Sequence, residues 1–232
     1  MPGFYYWGFD WTYILIIIAL LISLAVQMNM KGTFQKYSRV RSERGMTGAQ
    51  AAERILHNAG IYNVRVERIH GNLNDHYDPR TKVIKLSDSI YGSNSLAAVG
   101  VAAHECGHAI QDATGYAPLG IRSALVPAAN LGSQLSWPLF LIGLIFSMKP
   151  LLTAGIILFC AALLFQIVTL PVEFNASGRA LRTLEQTGIM APQEIRDTRK
   201  VLGAAAMTYV AAVAASLLQL LRLVLLSRRS DN

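Results

Sequence analysis

The sequence predicts a mainly α-helical integral membrane protein, with about four transmembrane helices and one small α+β insertion. Three observations lead to this fold class. The chain of 232 residues is 53% hydrophobic and only 15% charged, which is unusual for a soluble domain. Several apolar runs approach or reach the roughly 20 residues that a bilayer-spanning helix needs. Between the first two runs lies a polar segment of about 95 residues, which is long enough for a small domain.

Four apolar runs are the candidate transmembrane helices. They cover residues 11–28, 128–148, 151–170 and 201–226. No lysine or arginine precedes the first run and no small-x-small cleavage site follows it, so it is predicted to be an N-terminal anchor rather than a cleaved signal peptide. Seven aromatic residues near its start suit the lipid headgroup region: Phe4, Tyr5, Tyr6, Trp7, Phe9, Trp11 and Tyr13.

The apolar runs divide the chain into five expected regions. These are an N-terminal transmembrane anchor (1–30), a polar domain (31–125), a transmembrane hairpin (126–171), a further helix (172–200) and a C-terminal hydrophobic helix (201–232). Two cysteines are too few for a disulfide framework, so nothing demands an oxidising compartment.

The polar domain is predicted to fold as helix, strand, loop, strand and helix. Thr47 and Gln50 predict a capping box at the start of the first short helix. The stretches "NVRVERI" and "TKVIKLSD" alternate apolar and polar residues, as half-buried strands do, and turn residues lie between them. A second helix is predicted from about Ser95 to Asp112.

Positive charge is concentrated in the two long polar segments. Of the 21 lysines and arginines, 12 lie between Lys31 and Arg122 and five lie between Arg179 and Lys200. The positive-inside rule then places both segments in the cytoplasm and the N-terminus outside a bacterial cytoplasmic membrane. The net charge of +7 predicts a basic surface facing anionic lipid and no nucleic-acid partner. The last apolar run is expected to be short, tilted or partly interfacial, because three arginines lie in it or just beyond it: Arg222, Arg228 and Arg229.

The stretch HECGH places two histidines four residues apart, with a glutamate directly after the first. On an α-helix His104 and His108 lie one turn apart on the same face, as two ligands of a tetrahedral zinc ion require. Glu105 lies beside them, where a carboxylate can take a proton from a metal-bound water and pass it to a leaving amine. This H-E-x-x-H pattern is typical of zinc-dependent peptidases. The alternative is two buried histidines that the backbone or Glu105 satisfies.

A zinc peptidase site needs a third protein ligand, and the sequence offers several. His57 falls on the exposed face of the first short helix, and His70 and His76 lie in the loop before the second strand. Glu173 is the stronger candidate, because it follows the third apolar run directly and opens a helical stretch. The alternative for this carboxylate is an interfacial ion pair with Arg179 or another basic group.

HECGH, a two-span hairpin and then "PVEFNASGRA" together resemble the YugP-type membrane zinc metallopeptidases, over essentially the whole chain. The chain is more distantly similar to the HtpX and CAAX-prenyl-protease group. The resemblance implies a zincin-like catalytic insertion that binds one Zn2+ ion through His104, His108 and Glu173, with Glu105 as general base. Ser177 stands where the distant group has an aspartate that orients a ligand histidine, and a serine offers only an uncharged hydrogen bond there.

The resemblance also gives "KVIKLS" the role of an edge strand with which an extended substrate backbone pairs. The alternative is a purely structural strand. The oxyanion of the reaction needs a donor besides zinc, and four side chains are candidates: Arg179, Arg182, His76 and Tyr77. Cys106 lies on the helix face opposite the ligands and is expected to be buried packing.

The expected function is that of a membrane-integrated zinc metalloendopeptidase that hydrolyses membrane or membrane-associated proteins, with its site near the cytoplasmic membrane surface. The alternative is a non-catalytic membrane scaffold with a structural zinc site, closed by His70 or His76. A metal transporter is disfavoured, because the spans lack histidines and carboxylates. Their long polar side chains include Gln134, Gln166, Gln219 and Arg222. No motif identifies a regulatory membrane partner.

Overall fold

The computed structural model describes residues 10–229, which contain seven α-helices and three β-strands. The aromatic residues predicted at positions 4–9 for the headgroup region lie outside this range. In chain order the elements are α1 (Tyr13–Tyr37), α2 (Gly48–Asn58), β1 (Arg65–Ile69), β2 (His76–Asp78), β3 (Val83–Ser87), α3 (Asp88–Tyr91), α4 (Leu96–Ala113), α5 (Ala117–Ile145), α6 (Lys149–Gln186) and α7 (Pro192–Arg229).

Four helices within the described range, α1, α5, α6 and α7, are long and apolar enough to cross a membrane. The predicted class, mainly helical with four candidate spans and a small sheet, is therefore confirmed. A short polar turn precedes the first helix. The Asp10 carboxylate accepts hydrogen bonds from the backbone N–H and hydroxyl of Thr12, at 3.1 and 2.8 Å.

Two predicted boundaries fall inside helices. The helix that carries Glu173 does not open after the third apolar run, because α6 continues unbroken through Pro171 to Gln186. A proline removes one backbone hydrogen bond, and the helix-forming residues on both sides keep the helix intact here. Likewise α7 runs through residue 201 without interruption, so the regions expected at 172–200 and 201–232 do not correspond to separate helices.

The described residues form two compact units. One contains 10–25, 125–166 and 211–229, and the other contains 26–124 and 167–210. In the first unit, glycines allow α5 and α6 to approach closely: a Cβ on Gly132 would lie 2.3 Å from the carbonyl oxygen of Leu158. Near the end of α7, Arg222 is buried, and its Nε donates to the Thr12 hydroxyl at 3.3 Å. The arginine within the last run therefore has a polar partner at the start of α1.

The second unit contains the sheet, whose strand order is β1-β3-β2. Strand β3 pairs parallel with β1 and antiparallel with β2. The expectation that "KVIKLS" is an edge strand is therefore wrong, since β3 is central and paired on both sides. Four of its five residues are buried, whereas β1 has none buried, which explains why the most apolar strand lies in the middle.

Both helices predicted in the polar domain are confirmed, with their caps. At the start of α2 the Thr47 side chain accepts from the Gln50 backbone, and the Gln50 side chain accepts from the Thr47 backbone. At the start of α4 the Ser95 hydroxyl accepts from the backbone N–H of Ala98, at 3.2 Å. These caps satisfy backbone donors that a helix start leaves unpaired.

Candidate metal centre

Helices α4 and α6 bring together the three residues considered as zinc ligands. His104 and His108 lie one turn apart on α4, with ring centroids separated by 4.8 Å. Oε2 of Glu173 lies 3.2 Å from Nε2 of His104 and 3.6 Å from Nε2 of His108. Among the described residues, these three form a group whose ligand atoms all lie within 4.8 Å of one another, close enough to hold one metal ion.

The close approach of α4 and α6 depends on Gly107, which lies between the two histidines of HECGH and carries no side chain. A Cβ at this position would lie 2.4 Å from the carbonyl oxygen of Ala176 on α6. Real Cβ atoms essentially never come so close to backbone, so only glycine fits. The absence of a side chain here lets the helix that carries Glu173 reach the two histidines.

The donor set fits zinc. Two imidazole nitrogens and one carboxylate oxygen are ligands that zinc takes in proteins. Glu173 is only 2% exposed, and a buried carboxylate is costly unless cationic or hydrogen-bonding groups surround it. The residues present could therefore hold a zinc ion and leave a further coordination position open.

Each histidine is oriented through Nδ1, the ring nitrogen that does not face Glu173. Nδ1 of His104 lies 3.1 Å from the hydroxyl of Ser177, the position at which the distant family has an aspartate. Nδ1 of His108 lies 3.0 Å from Oε1 of Gln111, and Nε2 of Gln111 donates to the Val172 carbonyl at 2.8 Å. Because an amide oxygen can only accept, Nδ1 of His108 carries the proton and Nε2 is left free for a metal.

The second oxygen of Glu173 has a separate partner. Nη1 of Arg122, on α5, lies 3.4 Å from Oε1 of Glu173. The sequence interpretation had Arg179 as the alternative partner of this carboxylate, but Nε of Arg179 donates instead to Asn175, at 2.8 Å. Oε2 thus faces the histidines while Oε1 faces a guanidinium.

The pKa values of two α4 residues reflect this environment. Burial disfavours the charged form of His108, but the hydrogen bond to Glu173 and the charge of Glu105 outweigh it and raise the pKa of His108 above its ordinary value. Burial also raises the pKa of the Cys106 thiol, whose Sγ points at the Ala52 carbonyl, 3.6 Å away. The expectation that Cys106 is buried packing is confirmed, since the residue is fully buried.

A cavity of about 170 Å³ opens onto these residues. Its polar lining includes His104, Glu105, Glu173, Ser177 and Tyr209. Glu105 is 7% exposed, so little of its surface reaches solvent. Its side chain lines the same cavity as the candidate metal ligands His104 and Glu173.

The remaining histidines lie elsewhere. His57 on α2 packs near the ring of Tyr62, with centroids 5.5 Å apart. Nδ1 of His70 lies 3.4 Å from a carboxylate oxygen of Asp88, and Nδ1 of His76 lies 2.9 Å from the carbonyl of Asn74. Neither His70 nor His76 belongs to the group of candidate metal ligands, so neither closes it as a fourth ligand.

None of the four side chains considered as oxyanion donors lines the cavity. The Tyr77 hydroxyl donates to Asp112 at 2.6 Å, and Nε of Arg182 donates to the backbone of Gly178 at 3.2 Å. Tyr209 of α7, which the sequence interpretation missed, does line the cavity. The sequence carries no local signal for Tyr209 or for Arg122, whereas Gln111 could have been found from its place three residues after His108 on the same helix.

Comparison with known proteins gives two matches. The family model described as "Putative neutral zinc metallopeptidase" matches residues 12–228. The chain is also 45% identical over 220 residues to "Putative membrane protease YugP" of Bacillus subtilis (strain 168), an alignment that covers 94% of this chain and 98% of the relative. No solved structure matches.

Proposed function

The chain belongs to this family of neutral zinc metallopeptidases, and from that premise we propose that it is a membrane-integrated zinc-dependent endopeptidase with Glu105 as its general base. Its zincin-like catalytic part comprises the helices and strands between residues 31 and 125, together with Glu173 from α6. Its substrates are membrane or membrane-associated proteins. The site faces the cytoplasm of a bacterial cell, as the distribution of lysines and arginines favours.

The proposal rests mainly on the position of Glu105. Glu105 is a buried carboxylate that follows His104 directly and lines the same cavity as His104 and Glu173. A structural zinc site does not need a further carboxylate in a cavity beside its ligands, since burying a charge is costly. A general base, by contrast, must present a free carboxylate to a water molecule and a substrate.

The residues of the site have different roles in peptide hydrolysis. His104, His108 and Glu173 would hold the zinc ion, which when bound supplies polarisation of the scissile carbonyl. Glu105 accepts a proton from the attacking water as the water oxygen bonds to the carbonyl carbon. When the carbon–nitrogen bond breaks, the same carboxyl group returns that proton to the leaving amine. The Ser177 and Gln111 side chains hold the imidazoles in place throughout.

The variant Glu105→Gln tests this assignment, because glutamine keeps the size of the side chain but cannot accept the proton. We expect the purified full-length variant to bind zinc in the wild-type ratio and to hydrolyse a quenched fluorescent peptide about 100- to 10,000-fold more slowly. Metal analysis and initial rates in detergent or lipid vesicles give the two readouts. Glu185→Gln, an exposed glutamate on α6, is the matched control and should behave as wild type.

Two outcomes would count against the proposal. A folded, zinc-loaded Glu105→Gln protein that cleaves at the wild-type rate would remove Glu105 from the mechanism. A wild-type protein that holds zinc tightly but hydrolyses no soluble or membrane-anchored peptide would favour the non-catalytic scaffold instead.

A further inference from the structure

One face of α7 lines the candidate active-site cavity with small and apolar residues. Leu202, Ala205, Ala206 and Tyr209 all line it. Their spacing of three, one and three residues places them on one face of the helix. We call this face the α7 wall. Because Ala205 and Ala206 have small side chains, they leave space in the cavity that larger side chains would occupy.

Two further apolar residues complete this part of the cavity. Val101 lines it from α4, one turn before His104. Leu73 lines it from the loop before β2, with about half of its surface exposed and a φ of 54°. A leucine rarely adopts positive φ, because in the left-handed region its Cβ lies too close to the following carbonyl oxygen. An apolar side chain is therefore held at the rim of the cavity in a backbone conformation that would suit glycine better.

The cavity is too small for more than one side chain and the peptide group beside it. Its volume of about 170 Å³ is well below the roughly 300–1,000 Å³ of pockets that enclose a drug-sized ligand. The carboxylates of Glu105 and, on the loop side, Asp75 line it as well. These negative groups disfavour an acidic side chain, whereas the α7 wall itself carries no charged group.

We infer that the α7 wall, Val101 and Leu73 form a specificity subsite for one apolar side chain of the substrate, adjacent to the scissile bond. The inference rests on the proposed function, because the subsite is continuous with the cavity that contains Glu105 and the candidate metal ligands. The enzyme then cuts beside residues such as leucine or phenylalanine. The apolar residue buries its side chain against the wall while the peptide group lies at His104 and Glu105.

Peptide cleavage and peptide binding test the subsite separately. The substrates are otherwise identical quenched fluorescent peptides that carry leucine, phenylalanine, alanine, aspartate or lysine on either side of one peptide bond. We expect wild-type kcat/KM for leucine or phenylalanine to exceed that for aspartate or lysine at least about tenfold. For binding, the zinc-loaded Glu105→Gln protein should bind the leucine peptide at least about tenfold more tightly than the aspartate peptide.

Two variants alter the subsite without touching the candidate ligands. Ala205→Leu fills the wall, so cleavage and binding of the leucine and phenylalanine peptides should fall about tenfold or more while those of the alanine peptide are kept. Leu73→Gly relieves the backbone strain and removes the apolar rim, so the protein should fold at least as well and discriminate less. Ala212→Leu, the same substitution at an exposed position of α7, is the control and should match wild type.

The outcomes separate the subsite from the proposed function. Wild-type cleavage without apolar preference, or an Ala205→Leu protein with the wild-type preference, would overturn the subsite and leave the peptidase assignment standing. Apolar-selective binding by the Glu105→Gln protein, with no hydrolysis by wild type, would support the subsite and remove the peptidase. If the Glu105→Gln protein binds all the peptides equally and the wild type hydrolyses none, both the subsite and the peptidase assignment are overturned.

Discussion

At the scale of single residues, the partners of the candidate ligands carry no negative charge. Ser177 and Gln111 hold the two histidines through uncharged groups, and Arg122 places a positive charge against Glu173. A carboxylate at Nδ1 would make a histidine more basic, and here the Nδ1 partner of each histidine is uncharged. Oε1 of Glu173 faces Arg122, and we expect this ion pair to help hold the carboxylate in position.

Removal of that ion pair should weaken metal binding. We expect Arg122→Met to lower zinc affinity about 10- to 100-fold, because partners of metal ligands typically matter to this extent and the Glu173 carboxylate loses its orientation. Competition with a chromophoric chelator measures the affinity, and the visible spectrum of the cobalt-substituted protein reports a change in coordination. Arg122→Lys should restore part of the affinity through its charge, and Arg182→Met, an exposed arginine on α6, should have no effect. Equal affinity in Arg122→Met and wild type would show that the ion pair does not position the ligand.

The third ligand has a direct test of its own. Glu173→Ala leaves two histidines at the site, so we expect zinc content after dialysis to fall well below one ion per chain. Metal analysis of purified wild type and variant provides the measurement, with circular dichroism to show that the helices persist. Unchanged zinc stoichiometry and affinity would mean that another residue completes the site.

At the scale of elements, the site is a consequence of how closely two helices pack. The HECGH stretch supplies the ligands of α4, and its glycine supplies the surface on which α6 lies. Glycine is a poor helix former, at a cost of about 1 kcal/mol relative to alanine. The close contact that it permits with Ala176 outweighs that cost, because no other residue lets α6 approach so near.

Alanine at this position should therefore separate the helices. We expect Gly107→Ala to destabilise the protein by about 1–3 kcal/mol, the usual cost of overpacking, and to weaken zinc binding because Glu173 moves away from the histidines. Gly178→Ala is the control on α6, where an added Cβ meets nothing within 4 Å and the better helix former should be neutral or slightly stabilising. Denaturant titration in detergent and chelator competition give the two quantities. A Gly107→Ala protein as stable as Gly178→Ala would contradict the packing argument.

At the scale of the whole molecule, four candidate spans determine which ends of the helices share a side of the membrane. With 38 residues, α7 extends about 57 Å at 1.5 Å per residue, so it exceeds the roughly 30 Å of the hydrocarbon core. Arg222 near its end contacts Thr12 near the start of α1, which favours a last helix that crosses fully rather than a short one. Four complete spans would place the start of α1 and the end of α7 on the same side.

Labelling of single cysteines tests the proposed orientation. In a chain without Cys106 and Cys160, we expect a membrane-impermeant maleimide to label Met148→Cys on intact cells, because this exposed residue lies between α5 and α6, which the proposed orientation assigns to the outer side. Glu67→Cys, on exposed strand β1, should react only after the cells are permeabilised. Labelling of Glu67→Cys from outside would reverse the orientation and place the candidate site in the extracytoplasmic space.

Features set by residues close in sequence were predictable from the sequence. Apolar length identified the four spans, the Thr47 and Ser95 caps located two helix starts, and the four-residue spacing of HECGH put two histidines on one face. The interpretation of β3 as an edge strand failed, because alternation of apolar residues does not say how many neighbours a strand has. The boundary expected after residue 171 does not end a helix, because α6 continues through Pro171.

The sequence by itself determined the helices, the membrane class and the pair of histidines with its glutamate, since each depends on contacts within a few residues. Only the tertiary structure decided that Arg122 rather than Arg179 faces Glu173, that Ser177 holds His104, and that Tyr209 and the alanines of α7 line the cavity. The reason is physical: these contacts join residues far apart in the chain. Their partners are selected by the approach and rotation of packed helices, which depend on side-chain volume at every contact and not on any local pattern.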